Sequence, residues 1–341
     1  HAHLRRYYGD MVKQVDARGR REGARITFHG HSVAYPRFVP PSMRSEPGRE
    51  EIVFYRNNQS DRPGIYRFAL GDPTVPGARD ETLLIRTNTD AVTSFTPEGG
   101  FVFPNQEPWR NLWTRHDLFS LPPGETATFG TEAQRKQLTD GMRANEPDVS
   151  PDGRFVAFTI NSRGTTRLVV ATRDHEGNLG EPRTLDPGQP LDQAYTPRFS
   201  PDGRQIVYSA WRAGGFRDIR LVELASGAAS SITSDRALDM QPVWSPDGRT
   251  IYFSSDRTGI FNIYAYDVAS KTFQMVTNVV GAALMPAISP DGKTLVYTGY
   301  THQGYDLFAM PLDPARFLDA PATGQERPAP LPEPRQVPVE K

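Results

Sequence analysis

The tetrapeptide Ser-Pro-Asp-Gly occurs four times, beginning at Ser150, Ser200, Ser245 and Ser289. A motif returning at intervals of about 45 residues is an internal repeat, and that period is the one of propeller blades. Each copy reads as a tight hairpin turn. Pro presets φ at the first turn position, Asp tolerates the bridge region, and Gly takes the left-handed position. Short apolar, aromatic-rich runs of strand type follow: Val156-Ala157-Phe158, Ile206-Val207-Tyr208, Ile251-Tyr252-Phe253 and Leu295-Val296-Tyr297. A second run comes after each, at 167–171, 219–224, 262–268 and 306–310. A third ends in an apolar residue plus Thr, as in Leu138-Thr139, Ile232-Thr233 and Val276-Thr277. The segment before each turn, such as Pro197-Arg198-Phe199, supplies a fourth strand, which completes one antiparallel blade.

Two more repeats lie upstream in altered form. Thr96-Pro97-Glu98-Gly99 stands for the turn in one, with Phe101-Val102-Phe103 after it. In the other, Tyr35-Pro36-Arg37-Phe38 parallels Tyr195-Thr196-Pro197-Arg198-Phe199, and an insertion over 41–50 replaces the turn. Six repeats then place an aromatic at one strand position: Phe54, Phe103, Phe158, Tyr208, Phe253 and Tyr297. Blades bury both faces against their neighbours, so these rings are expected in the interfaces. The fold class is all-β, a six-bladed propeller of four-stranded antiparallel blades with a short N-terminal helix and a Pro-rich C-terminal tail.

The pattern of Pro, an aromatic, Ser-Pro-Asp-Gly, an apolar run and Ser254-Ser255-Asp256-Arg257-Thr258-Gly259 with Asn262-Ile263-Tyr264 resembles the TolB-type repeat, also called PD40 or WD40-like. The resemblance covers about 25–312. It implies a binding module with protein partners in the bacterial envelope, periplasmic or at the cell surface. Fold alone does not supply an activity.

The expected domain organisation is a helix and linker over 1–24, the propeller over 25–312 and a tail or linker over 313–341. Leu4, Tyr7, Tyr8, Met11, Val12 and Val15 recur at helical spacing, and their apolar stripe must lie on something. This helix resembles the junction of larger chains in which a peptidase-like domain precedes such a propeller, although no His-Glu-x-x-His is present. Blade six ends without an outer strand, while Arg25-Ile26-Thr27 looks like one, so ring closure by 25–27 is expected. The tail alternates Pro328, Pro330, Pro332 and Pro334, which favours polyproline II and fits a spacer or a docking peptide. The chain opens on His1 rather than Met, which reads as a processed protein or a fragment.

A net charge of −1 gives no electrostatic case for nucleic acid or a membrane surface, and no apolar run is long enough for a spanning helix. The chain has no Cys, so neither a disulfide framework nor a thiolate metal site is expected. Gly30-His31-Ser32-Val33-Ala34 lacks the strand-to-helix context of a nucleophile elbow, and His29 with His31 lacks a third ligand in sequence. Asn58-Gln59-Ser60 fits a glycosylation sequon, a weak signal that a bacterial source would void. No catalytic residue, cofactor or metal is expected.

Propeller geometry supplies the candidate site. The loops after each second strand and those entering each innermost strand share one face and its central funnel. The former carry Arg62, Arg110, Arg163, Arg212, Arg257 and His302. The latter carry Tyr35, Glu146, Tyr195 and Asp239, among others. Along the innermost strands, Arg37, Ser94, Asp148, Arg198, Val243 and Ala287 are expected to face the channel, and Phe38, Phe95, Val149, Phe199, Trp244 and Ile288 the inter-blade core. Arginines in these loops either fix neighbouring blades through carboxylates or recognise an acidic segment or chain terminus. The function expected is a non-catalytic protein- or peptide-binding scaffold, with an accessory propeller of a larger hydrolase as the alternative.

Overall fold

The computed structural model describes residues 2–58, 62–75, 80–110, 113–128, 130–131, 134–162, 164–212 and 214–321, and side chains only from residue 8 onward. Helix α1 (Ala2–Arg18) leads into strand β1 (Ala24–Arg25). Blade one holds β2 (Ser32–Phe38), β3 (Glu51–Asn57), β4 (Gly64–Ala69) and β5 (Thr82–Arg86). Blade two holds β6 (Ser94–Phe95), β7 (Phe101–Trp109), β8 (Trp113–Leu121) and β9 (Lys136–Gln137). Blade three holds β10 (Ala144–Val149), β11 (Phe155–Ser162), β12 (Thr165–Thr172) and β13 (Arg183–Thr184). Blade four holds β14 (Gln193–Phe199), β15 (Gln205–Arg212), β16 (Phe216–Glu223) and β17 (Ala229–Ser231). Blade five holds β18 (Asp239–Trp244), β19 (Thr250–Ser255), β20 (Asn262–Asp267) and β21 (Phe273–Met275). Blade six holds β22 (Ala282–Ile288), β23 (Thr294–Thr301) and β24 (Gly304–Pro311).

The ring closes as the sequence implies. β1 is the outer strand of blade six, with Ala24 opposite Ala309 and Arg25 opposite Phe308. Asp306, fully buried, holds the junction: it accepts from Thr27 Oγ1 at 2.9 Å, from the His29 backbone N–H at 2.8 Å and from that of Gly30 at 3.2 Å, and it pairs with Arg25. Thr27 repeats a device seen elsewhere in the ring. The backbone N–H groups of Leu118, Ile219, Ile263 and Leu307 donate to the hydroxyls of Thr139, Thr233, Thr277 and Thr27 at 2.8–2.9 Å. The recurrent outer-strand Thr thus pins its strand to the one inside it.

The four Ser-Pro-Asp-Gly turns are superposable in their bonding. In each, the Ser hydroxyl donates to the Asp carboxylate at 2.6 Å. That carboxylate also accepts from the backbone N–H two residues on. The glycines take φ of 71–73°, which a Cβ would oppose. The six recurrent aromatics are buried, each among residues of the preceding blade; Phe158 packs with Val102 and Leu118, and Tyr208 with Ala157 and Leu168.

Two differences from expectation concern the termini. Within α1, Val15 is buried and Met11 and Val12 are partly so, whereas Tyr8 is exposed and so stands outside the apolar stripe; the side chains of Leu4 and Tyr7 lie outside the described ones. Asn278 Nδ2 donates to the carbonyls of Val15 at 2.8 Å and Gly19 at 3.0 Å, which satisfies orphan acceptors at the helix end and docks it on the propeller rim. At the other end, the chain does not leave the propeller at 313. β25 (Leu318–Asp319) pairs antiparallel with β21 and makes blade five five-stranded, with Phe317 and Leu318 packed on the core.

Asp306→Ala leaves Arg25, the Thr27 hydroxyl and the His29 and Gly30 N–H groups of the closing segment without their acceptor. We expect it to lower unfolding stability by about 3 kcal/mol, read from urea midpoints; an unchanged midpoint would mean that the ring is not held at this junction.

Candidate functional site

The channel is shaped by a break in the innermost strands. In blades one, three, four, five and six the inner ladder shifts register, between Ala34 and Arg37, Asn145 and Asp148, Tyr195 and Arg198, Met240 and Val243, and Leu284 and Ala287. A residue in the left-handed region followed by proline sits in every bulge: Tyr35-Pro36, Glu146-Pro147, Thr196-Pro197, Gln241-Pro242 and Met285-Pro286, with φ of 54°, 52°, 47°, 55° and 53°. Proline has no N–H to lose from the ladder, so it is tolerated there. The freed N–H groups find partners across blades. Thr196 donates to Glu146 Oε2 at 2.9 Å, Met285 to Gln241 Oε1 at 3.1 Å, and Tyr35 to Met285 Sδ at 3.4 Å. This ring of bulge residues sits at the neck of the channel.

Beyond the neck a cavity of about 370 Å³ runs to the Ser-Pro-Asp-Gly turns. Arg37, Asp148, Arg198, Val243 and Ala287 line it, whereas Ser94, also expected to face the channel, is buried and not among the lining residues. Phe38, Phe95, Phe199, Trp244 and Ile288 also reach it while packing on the blades; Phe95, Trp244 and Ile288 are only partly buried, so the alternation into the core is incomplete where the strands splay toward the turns. Asp148 is the hub. Its Oδ1 accepts from Arg37 Nη2 at 2.7 Å and lies 3.4 Å from Ser94 Oγ, and its Oδ2 accepts from the Phe199 backbone N–H at 2.8 Å. Arg198 Nη1 stands 4.0 Å away and donates to the Pro197 carbonyl at 2.7 Å. Burial, then the neighbouring Arg37 charge, pushes Arg198 down to about 9, against the pull of Asp148 and Glu146. Arg37 Nε, Arg198 Nε, Thr196 Oγ1 and Trp244 Nε1 are buried with no protein partner. Two cations against one carboxylate and this set of unpaired donors suit an acceptor-rich, negatively charged group.

The funnel side of the neck has a different character. Tyr35, Tyr55, Asn57, Asn88, Asp90 and Glu146 line a polar basin. Burial raises Glu146 above the usual carboxylate range, while the Thr196 N–H and the charges of Arg217 and Arg198 pull it back. Burial also raises the Tyr35 hydroxyl, with Glu146 and Asp90 adding to it. Arg217 stacks on the Tyr195 ring, 4.3 Å from its centroid, and donates to Ser209 Oγ at 2.7 Å. The Tyr195 hydroxyl bonds Gln193.

The hairpin arginines divide. Arg212 is gripped by Asp186 and Asp192, and Arg257 by Asp239 at 3.2 Å and Asp235 at 3.7 Å, which fixes loops rather than offering free forks. Arg110 is exposed over the Trp109 ring, 4.2 Å from its centroid. Arg62 and His302 are exposed, the Arg62 carbonyl accepting from Tyr66 Oη at 2.8 Å. Arg163 lies outside the described residues. Arg217, Thr196 and Trp244 emerge only in three dimensions, although the X-Pro step before each motif was a readable sign of the bulge. His29 is engaged by Glu81 at 2.8 Å beside the closure, and among the described residues no cluster has the form of a metal site.

The architecture is that of a six-bladed propeller of antiparallel sheets, and residues 190–335 match the family model described as PD40, TolB beta propeller domain. The matched stretch, which takes in blades four to six, is similar to a TolB-type propeller. Curated relatives include the Tol-Pal system protein TolB of Francisella tularensis subsp. holarctica, 36% identical over 87 residues, which is 24% of this chain and 19% of the relative. The matched part thus spans about a fifth of these relatives' length. Among solved structures, a putative TolB from Agrobacterium tumefaciens has a TM-score of 0.56 at 21% identity, over 68% of this chain and 81% of that one. A puromycin-hydrolyzing peptidase of Mycobacterium tuberculosis has a TM-score of 0.58 at 16% identity, over 86% of this chain and 46% of that one. An oligogalacturonate lyase from Vibrio parahaemolyticus gives 0.54 at 10%, over 86% and 92%. At these identities the structural likeness shows the fold.

Burial raises Asp239 to about 6, Arg257 opposing the shift. An ordinary Asp titrates near 4, so the folded state holds this proton more tightly than the unfolded one. The contribution to stability is present in acid and is lost as pH rises toward 6. We expect the stability of the wild type relative to Asp239→Asn to fall between about pH 4 and 6.5 and then level off, measured by thermal melts across that range. A flat difference would place the carboxylate in an ordinary environment.

Proposed function

We propose that this chain is a non-catalytic scaffold that binds a protein partner of the bacterial envelope through its funnel face. One observation carries the reading. Of the eight large apolar residues exposed among the described side chains, Phe28, Trp113, Leu191, Trp211, Tyr300 and Tyr305 lie on loops and hairpin tips of that face. Antiparallel alternation puts every second-to-third-strand hairpin and every blade-to-blade connection on one side. Tyr300 and Tyr305 pair across the tip of blade six with ring centroids 5.1 Å apart, and Trp109 and Trp113 across that of blade two at 6.0 Å. Arg110 and Arg115 stack on Trp109. Exposed Trp, Tyr and Arg gathered on one face are what protein interfaces favour at their centres. The likeness to TolB supports a periplasmic setting and a protein partner. The polar basin at the centre, with Tyr35, Tyr195 and Glu146 around Arg217, would fix the partner's orientation through hydrogen bonds.

The likeness to the mycobacterial peptidase, which this chain matches over 46% of that protein's length, supports a second reading. On this second reading, the aromatic face of this chain packs against a hydrolase domain of a longer polypeptide, and the propeller presents substrate to it.

Photo-crosslinking in the source bacterium tests the proposal. A crosslinking residue at position 211 or 300 should capture a discrete envelope protein. The same residue at position 75, an exposed site on the opposite face, should not. Capture from position 75 alone would count against the funnel face; capture of a domain of the same polypeptide would favour the second reading.

A further inference from the structure

We infer that the cavity on the turn face is a docking site for this chain's own Pro-rich tail, with Glu333 in Pro-Leu-Pro-Glu-Pro carrying the recognised carboxylate. The inference concerns the mouth opposite the funnel face and stands apart from the function proposed above.

The cavity is prepared for such a segment. Its walls combine apolar rings with prolines that present no N–H, among them Phe95, Phe199, Trp244, Pro201, Pro246 and Pro290. An aromatic-lined groove of this kind receives extended proline-containing chains, which lose little entropy on binding. Its polar complement is one-sided. Arg37 and Arg198 outweigh Asp148, and the unpaired groups are the Arg37 and Arg198 Nε, the Trp244 Nε1 and the Thr196 hydroxyl, all able to donate. The turn aspartates at the mouth do not reverse this balance. Each is bonded to its own Ser, and Arg154, Arg204, Arg249 and Lys293 follow two residues on.

Where the chain leaves the fold names the occupant. β25 runs antiparallel to β21, Leu318 opposite Met275 and Asp319 opposite Gln274. β21 starts at the turn face and runs toward the funnel face, so β25 delivers the chain back to the turn face, where the cavity opens. From the outer edge of blade five to the channel is four strand spacings, roughly 19 Å. The twelve residue-to-residue steps from Pro321 to Glu333 can span about 37 Å at the polyproline II rise, enough to cross the blade and enter. A tethered segment acts at an effective concentration in the millimolar range, so even a weak site is filled by the chain's own tail.

The test uses the full chain and a fluorescent peptide of residues 326–338 as probe. With wild type the tethered tail competes. With Leu331→Lys/Glu333→Lys, which lies outside the propeller, the cavity is open, and the probe should bind at least tenfold tighter by anisotropy. Adding Arg198→Met to the open-cavity chain should weaken the probe at least tenfold. Trp244→Phe, which removes the indole donor and trims the ring while keeping an aromatic wall, serves as the second variant should Arg198→Met melt early. Equal affinity for wild type and tail variant, no binding to the tail variant, or binding indifferent to both channel variants would overturn the inference.

Discussion

The structure depends on an interruption that recurs in five of its six inner strands. A proline cannot continue the ladder, so the residue before it is turned into the left-handed region and pushed toward the axis. Only blade two escapes; Val92-Thr93 stand where the others have X-Pro, and its inner strand is just Ser94–Phe95. Because none of the five bulge residues is glycine, each carries a side chain into the neck. Those side chains tie blade to blade, Glu146 to Thr196, Gln241 to Met285 and Met285 to Tyr35. The same bulges divide the axis into two chambers, an Asn- and carboxylate-lined basin on the funnel side and a cationic, apolar-walled cavity on the turn side.

That division relocates the positive charge. Arg212 and Arg257, at the funnel-side hairpins, are neutralised by their own carboxylates, and they stiffen the loops that carry the exposed aromatics. Arg37 and Arg198 share one Asp148 below the neck. An aromatic face above and an electropositive chamber below thus lie at opposite ends of one ring, with the same bulge ring between them.

Much of this is legible in the sequence because it is local. Ser-Pro-Asp-Gly sets each turn through contacts within the motif itself, the aromatic one strand later is dictated by blade packing, and Arg25-Ile26-Thr27 is the missing outer strand. The channel-facing positions follow from alternation along a strand, and Arg37, Asp148 and Arg198 do meet. What the sequence hides is long-range or conformational. A left-handed Thr196 or Met285 has no compositional mark, since only glycine advertises that region. The ion pairs that occupy Arg212 depend on where Asp186 and Asp192 fall after folding. Arg217 lies on a strand rather than in a loop, so loop position does not select it. β25 is two residues long, too short for any periodicity, and it is paired only because blade five leaves an edge beside it.

Thr196 tests most directly whether the neck exists for binding. It is β-branched at φ 47°, and its buried hydroxyl has no partner. Thr196→Gly relieves a left-handed strain of about 1–2 kcal/mol and removes the orphan hydroxyl, against the loss of a methyl worth about 0.8 kcal/mol and some backbone entropy. The account predicts a stability gain of about 1 kcal/mol by denaturant titration, because the native side chain is kept for a ligand and not for the fold. A loss of stability on that substitution would contradict it and make the bulge ring a purely structural collar.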